Sequence, residues 1–176
     1  NISNTIIPDA NKNVSKLLGT TAFHAYSGAV YHDGIKDVYP DMVYPVGDNT
    51  MISTEVLSQK LKMNVNSSPG VITVDDKLTF EIGKNIMKTP HGDIVLSMVP
   101  EAKDGKVYLP LEDLYEKGLR KNVFKNDDGL VVVSEGELPW ADENVIIKDV
   151  NNFMFFERKS ASEIKEIFEN SGNLQK

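Results

Sequence analysis

The sequence predicts an α+β fold: two tandem units of antiparallel strands with one short helix each, followed by a C-terminal linker strand and helix. Three observations predict it. A pattern of strand, polar helix start, amphipathic stretch, Asn-Val step, glycine turn and closing strand occurs twice, about 57 residues apart, as a duplicated supersecondary unit does. Asp-Gly pairs stand between runs of alternating apolar and polar residues, a strong hairpin signal because both turn positions tolerate positive φ. Each copy also places a favoured helix-start residue directly before apolar residues at helical spacing.

Residues 1–19 are polar, with repeated Asn and Asp and an interrupting Pro8, and read as a weakly packed lead-in with one helical turn before Gly19. The first unit spans 20–75. Phe23, Ala25, Val30 and Tyr31 lead into the turn His32-Asp33-Gly34, and Ile35, Val38 and Tyr39 return, which predicts a strand pair. A further run, Asp41 to Val46, leads to Met51-Ile52. Ser53 or Thr54 then caps a helix from Glu55 to Leu61 with Val56, Leu57 and Leu61 on one face, before Asn64-Val65, Gly70 and the strand Val71 to Val74.

The second unit spans 76–135. Leu78, Phe80 and Ile82 alternate, Gly83-Lys84-Asn85 turns, and Ile86 and Met87 return. The turn Thr89 to Asp93 leads into Ile94-Val95-Leu96. After Asp104-Gly105 come Val107-Tyr108-Leu109 and Pro110, which sits where a first-turn proline is favoured. The helix from Leu111 to Lys117 is expected to stop at Gly118 in the left-handed conformation, before Asn122-Val123, Gly129 and the strand Leu130 to Val133. The duplication matches Ser53 with Pro110, Leu57 with Leu114 and Val71 with Leu130. Residues 136–176 read as a linker containing Pro139 and Trp140, then a helix opened by the capping box Ser160-Ala161-Ser162-Glu163.

Composition narrows the functional classes. At 176 residues and 40% hydrophobic, the chain can bury one modest core or two small ones sharing a face. A net charge of −7 argues against nucleic acid, whose binders concentrate Lys and Arg on one face. The absence of cysteine removes disulfides, thiolate zinc sites and thiol catalysis. No apolar run reaches the roughly 18 to 20 residues of a membrane span, and the first twenty residues lack the apolar core of a signal peptide. Because the chain begins at Asn1, it is expected to be a processed protein or a piece of a longer one.

The step Asp104-Gly105-Lys106-Val107-Tyr108-Leu109-Pro110-Leu111, with Leu119 and Val123, resembles the short modules known as copper amine oxidase-like N-terminal domains of Gram-positive secreted and surface proteins. Asp48 to Thr54, with Leu61 and Val65, is similar in weaker form and lacks the proline. The resemblance covers residues 22–135 and implies the stalk of such an oxidase, not its copper site, whose three histidines have no counterpart in His24, His32 and His91. Phe155-Phe156-Glu157-Arg158-Lys159-Ser160-Ala161-Ser162-Glu163-Ile164 is similar to the segment before the helical toroid of heparinase-like and alginate lyases. It implies a module preceding a lyase domain.

No cofactor, metal site or catalytic group is expected. Glu112-Asp113 fits a helix first turn and Asp127-Asp128-Gly129 a loop, so neither reads as an acid–base pair. Asp33, Asp37 and Asp41 recur every fourth residue but lie in a strand-turn segment, where the six or more oxygens of a calcium site do not converge. His32 and His91 read as turn histidines, and neither a nucleophile elbow nor a phosphate loop is present. Two candidate sugar contacts remain: aromatic residues, Tyr26, Tyr31 and Trp140 with Tyr39 and Tyr44, and the basic residues Lys117, Arg120 and Lys121 with Lys125. The same tyrosines suit half-buried strand positions and the same cations suit a solvated helix end, so both readings stand at this point. Phe155, Phe156, Ile164, Ile167 and Phe168 are the candidate contacts to a downstream catalytic domain.

The expectation is therefore a non-catalytic accessory module of an extracellular bacterial polysaccharide-degrading enzyme, secreted or at the cell surface. The parent would be an alginate or glycosaminoglycan lyase, and the module would space, dock or target it. The alternative is a free-standing cell-wall or carbohydrate-binding protein.

Overall fold

The computed structural model describes residue 17, residues 19–138 and residues 144–155. Three antiparallel sheets with few, short helices make the fold mainly β, which agrees only roughly with the α+β expectation. The first half contains β1 (Thr21–His24), β2 (Ala29–His32), β3 (Ile35–Val38), β4 (Val43–Val46), β5 (Asn49–Ser53), α1 (Thr54–Gln59), β6 (Val65–Ser68) and β7 (Val71–Val74). The second follows the same order: β8 (Leu78–Glu81), β9 (Ile86–Thr89), β10 (Gly92–Val95), β11 (Glu101–Lys103), β12 (Lys106–Pro110), α2 (Leu111–Asp113, running into a π-helical turn Leu114–Gly118), β13 (Asn122–Lys125) and β14 (Leu130–Ser134). A third helix, α3 (Asn144–Phe155), comes last.

Neither half owns its sheets. One five-stranded sheet runs β13-β14-β1-β2-β3 and the other β10-β9-β8-β7-β6, so each contains three strands of one half and two of the other. The exchange follows from the connection at Asp75 and Asp76, whose φ of 53° and 54° fold β7 directly back onto β8. Val74 therefore pairs with Leu78 across the boundary, and β1 pairs with β14 from Thr21↔Val133 to His24↔Leu130. The four-stranded sheet β11-β12-β5-β4 joins the halves at its centre. Its register pairs Ser53 with Tyr108, Ile52 with Leu109 and Met51 with Pro110, a pattern that maps onto itself when the halves are interchanged.

The main core lies between these sheets. Phe23 and Phe80, Ile52 and Leu109, Leu57 and Leu114 occupy equivalent positions, and all six are fully buried in one cluster. Tyr115 tilts against Phe23 at 5.9 Å between ring centroids, which ties α2 to the first half's β1. Glu112 makes a second tie: its carboxylate accepts from the backbone N–H and the hydroxyl of Thr50, both at 2.8 Å, and pairs with Lys125 at 3.0 Å. Asp113 accepts from the Ser97 N–H at 2.6 Å. The acids of the α2 first turn thus cross-link elements and do not merely offset a helix dipole.

Ser53 caps α1 as its type predicts, its hydroxyl accepting from the Glu55 N–H at 3.1 Å. The α2 stop differs from expectation. Gly118 is not left-handed; the left-handed residue is Arg120 (φ 56°), as Lys62 (φ 58°) is after α1. Packing favours glycine at 118, because a Cβ there would lie 2.8 Å from Leu78 Cδ1 and 3.1 Å from Met87 Sδ, and both side chains would have to shift.

A second cluster covers the other face of the β13-β14-β1-β2-β3 sheet. Val150 and Met154 of α3 close over Ala22, Ala29, Tyr31, Leu130 and Val132, each helix side chain contributing about 1.5–3 kcal/mol. Leu17 is fully buried in the same cluster, so the end of the lead-in packs closely and not weakly as expected. Helix α3 takes residues 144–155, a stretch in which the sequence does not predict a helix. Its Val145, Ile146 and Ile147 favour strands intrinsically, but apolar residues at 146, 147, 150, 153 and 154 present one face to the sheet, and that burial decides the conformation. The Lys36 ammonium donates to the Phe153 carbonyl at 2.7 Å and the Ser27 hydroxyl to the Met154 carbonyl at 3.0 Å, capping the helix end onto the sheet.

Gly118→Ala is expected to cost about 1–3 kcal/mol by overpacking Leu78 and Met87. Gly136→Ala, at a glycine with no atom within 4 Å of a built Cβ, should stay within about 0.5 kcal/mol. Denaturant midpoints of the two variants check this, and equal midpoints would remove the packing account.

Candidate functional site

An open cleft of about 620 Å³ lies where the β1–β2 loop, the Pro40–Pro45 segment and the end of α3 meet. Tyr26, Tyr44 and Phe155 supply its aromatic walls, Pro40 and Pro45 its apolar rim, and Asp41 its carboxylate. Tyr26 is 60% exposed and Phe155 53%, unusual for large rings that the fold could have buried.

The loop that presents Tyr26 is held at every step. The Ala25 N–H donates to the Gly129 carbonyl at 2.8 Å and the Gly28 N–H to the His24 carbonyl at 2.9 Å. The Ser27 N–H donates to His24 Nδ1 at 3.2 Å, and the Ser27 hydroxyl accepts from the Ala29 N–H at 3.2 Å while reaching α3. The Tyr39 N–H closes on the Gly28 carbonyl at 2.8 Å, and only glycine fits there, since φ is +77° and a Cβ would meet Tyr39 O at 2.5 Å. The Tyr26 ring lies over Gly129, whose absent side chain leaves it room. An exposed aromatic ring on an ordered loop is a preorganised contact, because little freedom is lost when a ligand covers it.

Tyr44 forms the opposite wall. Its hydroxyl donates to the Glu101 carboxylate, its ring meets Tyr108 edge-on at 5.1 Å, and Lys103 Nζ stands 5.0 Å from its centroid. Burial, then the Glu101 carboxylate, pushes the Tyr44 phenol well above its ordinary value, so it stays protonated. The Tyr108 hydroxyl in turn donates to the Asp41 carbonyl at 3.1 Å and fixes the turn in which Asp41 takes φ 64°.

His24 lies beneath this site. It is 1% exposed, and the Phe155 ring packs edge-on against it at 5.3 Å. Its Nδ1 accepts from the Ser27 N–H, which places the proton of the neutral ring on Nε2. Nε2 and Asn151 Oδ1 are the two buried side-chain polar atoms without a hydrogen bond among the described residues. Burial lowers the His24 pKa, with Asn151 and Asp128 opposing it.

The structure separates the sequence-predicted site residues. Tyr26 and Phe155 line one cleft, Phe155 as a wall packed edge-on against His24. Tyr31 lies apart from this cleft: it is 6% exposed beneath α3, its ring edge-on to Phe153 at 5.9 Å. In the basic cluster the three lysines are each met by a carboxylate. Lys117 pairs with Asp113 at 3.4 Å, Lys121 with Glu135 at 2.9 Å and Lys125 with Glu112, while Arg120 serves as the left-handed residue after α2. Trp140, Phe156, Ile164, Ile167 and Phe168 lie outside the described residues. His32 contacts Thr21 at 2.8 Å and His91 the Lys117 carbonyl at 3.2 Å, each at the surface. Asp37 pairs with Lys60 at 2.7 Å. Asp41, Ser27 and His24 are not among the site residues that the sequence predicts.

No protein-family model, curated protein or solved structure matches the chain. No helix among the described residues is long and apolar enough to cross a membrane.

Because the folded pKa of His24 lies below that of the unfolded chain, its contribution to stability is complete above about pH 6.5 and declines as pH falls toward the folded value. His24→Asn, which keeps an acceptor for Ser27, should therefore lose its stability deficit relative to the unaltered chain between about pH 7.5 and pH 5. Thermal midpoints measured across that range check it, and a constant deficit would show that His24 does not titrate on unfolding.

Proposed function

We propose that this chain is a non-catalytic accessory module that engages a carbohydrate chain through the Tyr26–Tyr44–Phe155 cleft, within an extracellular bacterial polysaccharide-degrading enzyme. The observation that carries this reading is the cleft itself: three aromatic rings and two prolines around an open groove, with Tyr26 exposed on a loop fixed by its own hydrogen bonds. Aromatic faces of this kind pack against the C–H faces of pyranose rings. His24 and Glu101, beside the cleft, hold the Ser27 loop and Tyr44 in place, a positioning role and not the convergent pair that general acid–base chemistry needs.

Charge bears on the sugar. Among the described residues the lining carries one carboxylate, Asp41, and no cation, and the chain's net charge is −7. Alginate and glycosaminoglycans are themselves anionic, so they suit this cleft poorly. If the parent enzyme degrades such a polymer, the module's role toward that polymer is spacing and docking of the catalytic domain. Targeting through the cleft is then directed at an uncharged or cationic sugar of the surrounding matrix.

Glycan-array screening of the whole chain, followed by titration of the best oligosaccharide, tests the reading. Tyr26→Ala should weaken binding about threefold to tenfold, as loss of one stacking face worth about 0.5–1.5 kcal/mol implies, without changing the unfolding midpoint. Absence of binding to any glycan, or undiminished binding by Tyr26→Ala, would overturn it.

A further inference from the structure

The cleft's electrostatics point to a sugar class. Asp41 stands at the edge of the aromatic walls with its backbone fixed in a left-handed turn, its carbonyl occupied by the Tyr108 hydroxyl. Its side chain is exposed and makes no ion pair among the described residues, whereas Asp37, four positions earlier, is held by Lys60. The Tyr44 wall already attracts a cation. Its phenol donates to the Glu101 carboxylate, which enriches the ring's electron density, and the Lys103 ammonium rests 5.0 Å from the ring centroid. Glu101 and Lys103 carry opposite charges on either side of Tyr44, and the carboxylate of Asp41 is the one formal charge among the described lining residues.

An aromatic groove with one unpaired carboxylate is complementary to a ring that offers a C–H face and an ammonium together. We propose that the cleft selects amino sugars bearing a free amine, a deacetylated hexosamine chain, over the same chain with its amines acetylated. This rests on the cleft being the carbohydrate site. The division of roles is specific: Tyr26 and Phe155 supply stacking that both forms of the chain share, and Asp41 supplies the preference between them.

Paired titrations of the whole chain test it, using glucosamine oligomers and N-acetylglucosamine oligomers of equal length at about pH 6. The deacetylated oligomer should bind about fivefold more tightly, the worth of one ion pair at near-contact distance in a largely solvated site. The preference should shrink at about 1 M salt, where screening acts within a few ångströms. Asp41→Asn should abolish the preference, bringing the affinity for the deacetylated oligomer down to that for the acetylated one. Asparagine tolerates the left-handed backbone at this position, so the variant keeps the turn. Tyr26→Ala should weaken both oligomers alike. Equal affinity of the unaltered chain for the two, or a preference that survives Asp41→Asn, would overturn the amino-sugar assignment. It would leave the cleft as a carbohydrate site, whereas failure to bind either oligomer or any other glycan would remove both.

Discussion

The pairing of β5 with β12 is the constraint on which the rest of the molecule depends. Ile52 sits opposite Leu109, both fully buried, and the pairs on either side, Ser53 with Tyr108 and Met51 with Pro110, exchange places when the two halves are interchanged. This contact puts the two halves in an antiparallel relation. That relation brings α1 and α2 onto a common core and leaves β6-β7 and β13-β14 each facing three strands of the opposite half. A three-stranded piece with strands of four residues is marginal alone, and a two-stranded one more so. Exchange makes five-stranded sheets from pieces too small to stand separately.

The halves differ where the candidate site lies. On the β13-β14-β1-β2-β3 sheet the outer face carries Ala22, Ala29, Tyr31, Leu130 and Val132 under α3; the corresponding face of the other sheet carries Thr79, Ile86, Lys88, Val71 and Thr73, half-buried or exposed. Ser27 and Lys36, which cap the helix end, stand where the second half has Lys84 and Asp93, and Tyr26 stands where it has Gly83. One set of substitutions thus docks α3, orders the loop and raises an aromatic ring beside it. Phe155 reaches the cleft because the same carbonyl caps fix the last turn of the helix over His24.

Local signals account for what was legible in the sequence. The Asp33-Gly34 and Asp104-Gly105 turns, the Ser53 cap and the alternation at Phe80 and Ile72 lie in the elements they predicted, because each depends on neighbouring residues. The equivalence of Ser53 with Pro110, Leu57 with Leu114 and Val71 with Leu130 places each pair in matching strand ends, helices and strand starts. Strand exchange was not legible, since a hairpin between β7 and β8 reads the same whether its strands join one unit or two. Helix α3 was missed although its 3.6-residue spacing from Ile146 to Met154 was present, because a β-branched start and paired asparagines masked it. For the site, Tyr26 and Phe155 were named singly, but nothing in their separation of more than a hundred residues announces a shared cleft. The contacts of Tyr31 with Phe153 and of Lys121 with Glu135 were not legible because tertiary packing sets them, whereas the pair of Lys117 with Asp113 is a local one, four residues apart.

The central claim is that the halves form one cooperative body through exchanged strands. Native-state hydrogen exchange of the whole chain in increasing denaturant measures this directly. The slow amides of β1, β8, β5 and β12 should converge on a single opening free energy with one common denaturant dependence. Two separate isotherms, one for β1–β7 and another for β8–β14, would show that each half opens alone and would contradict it.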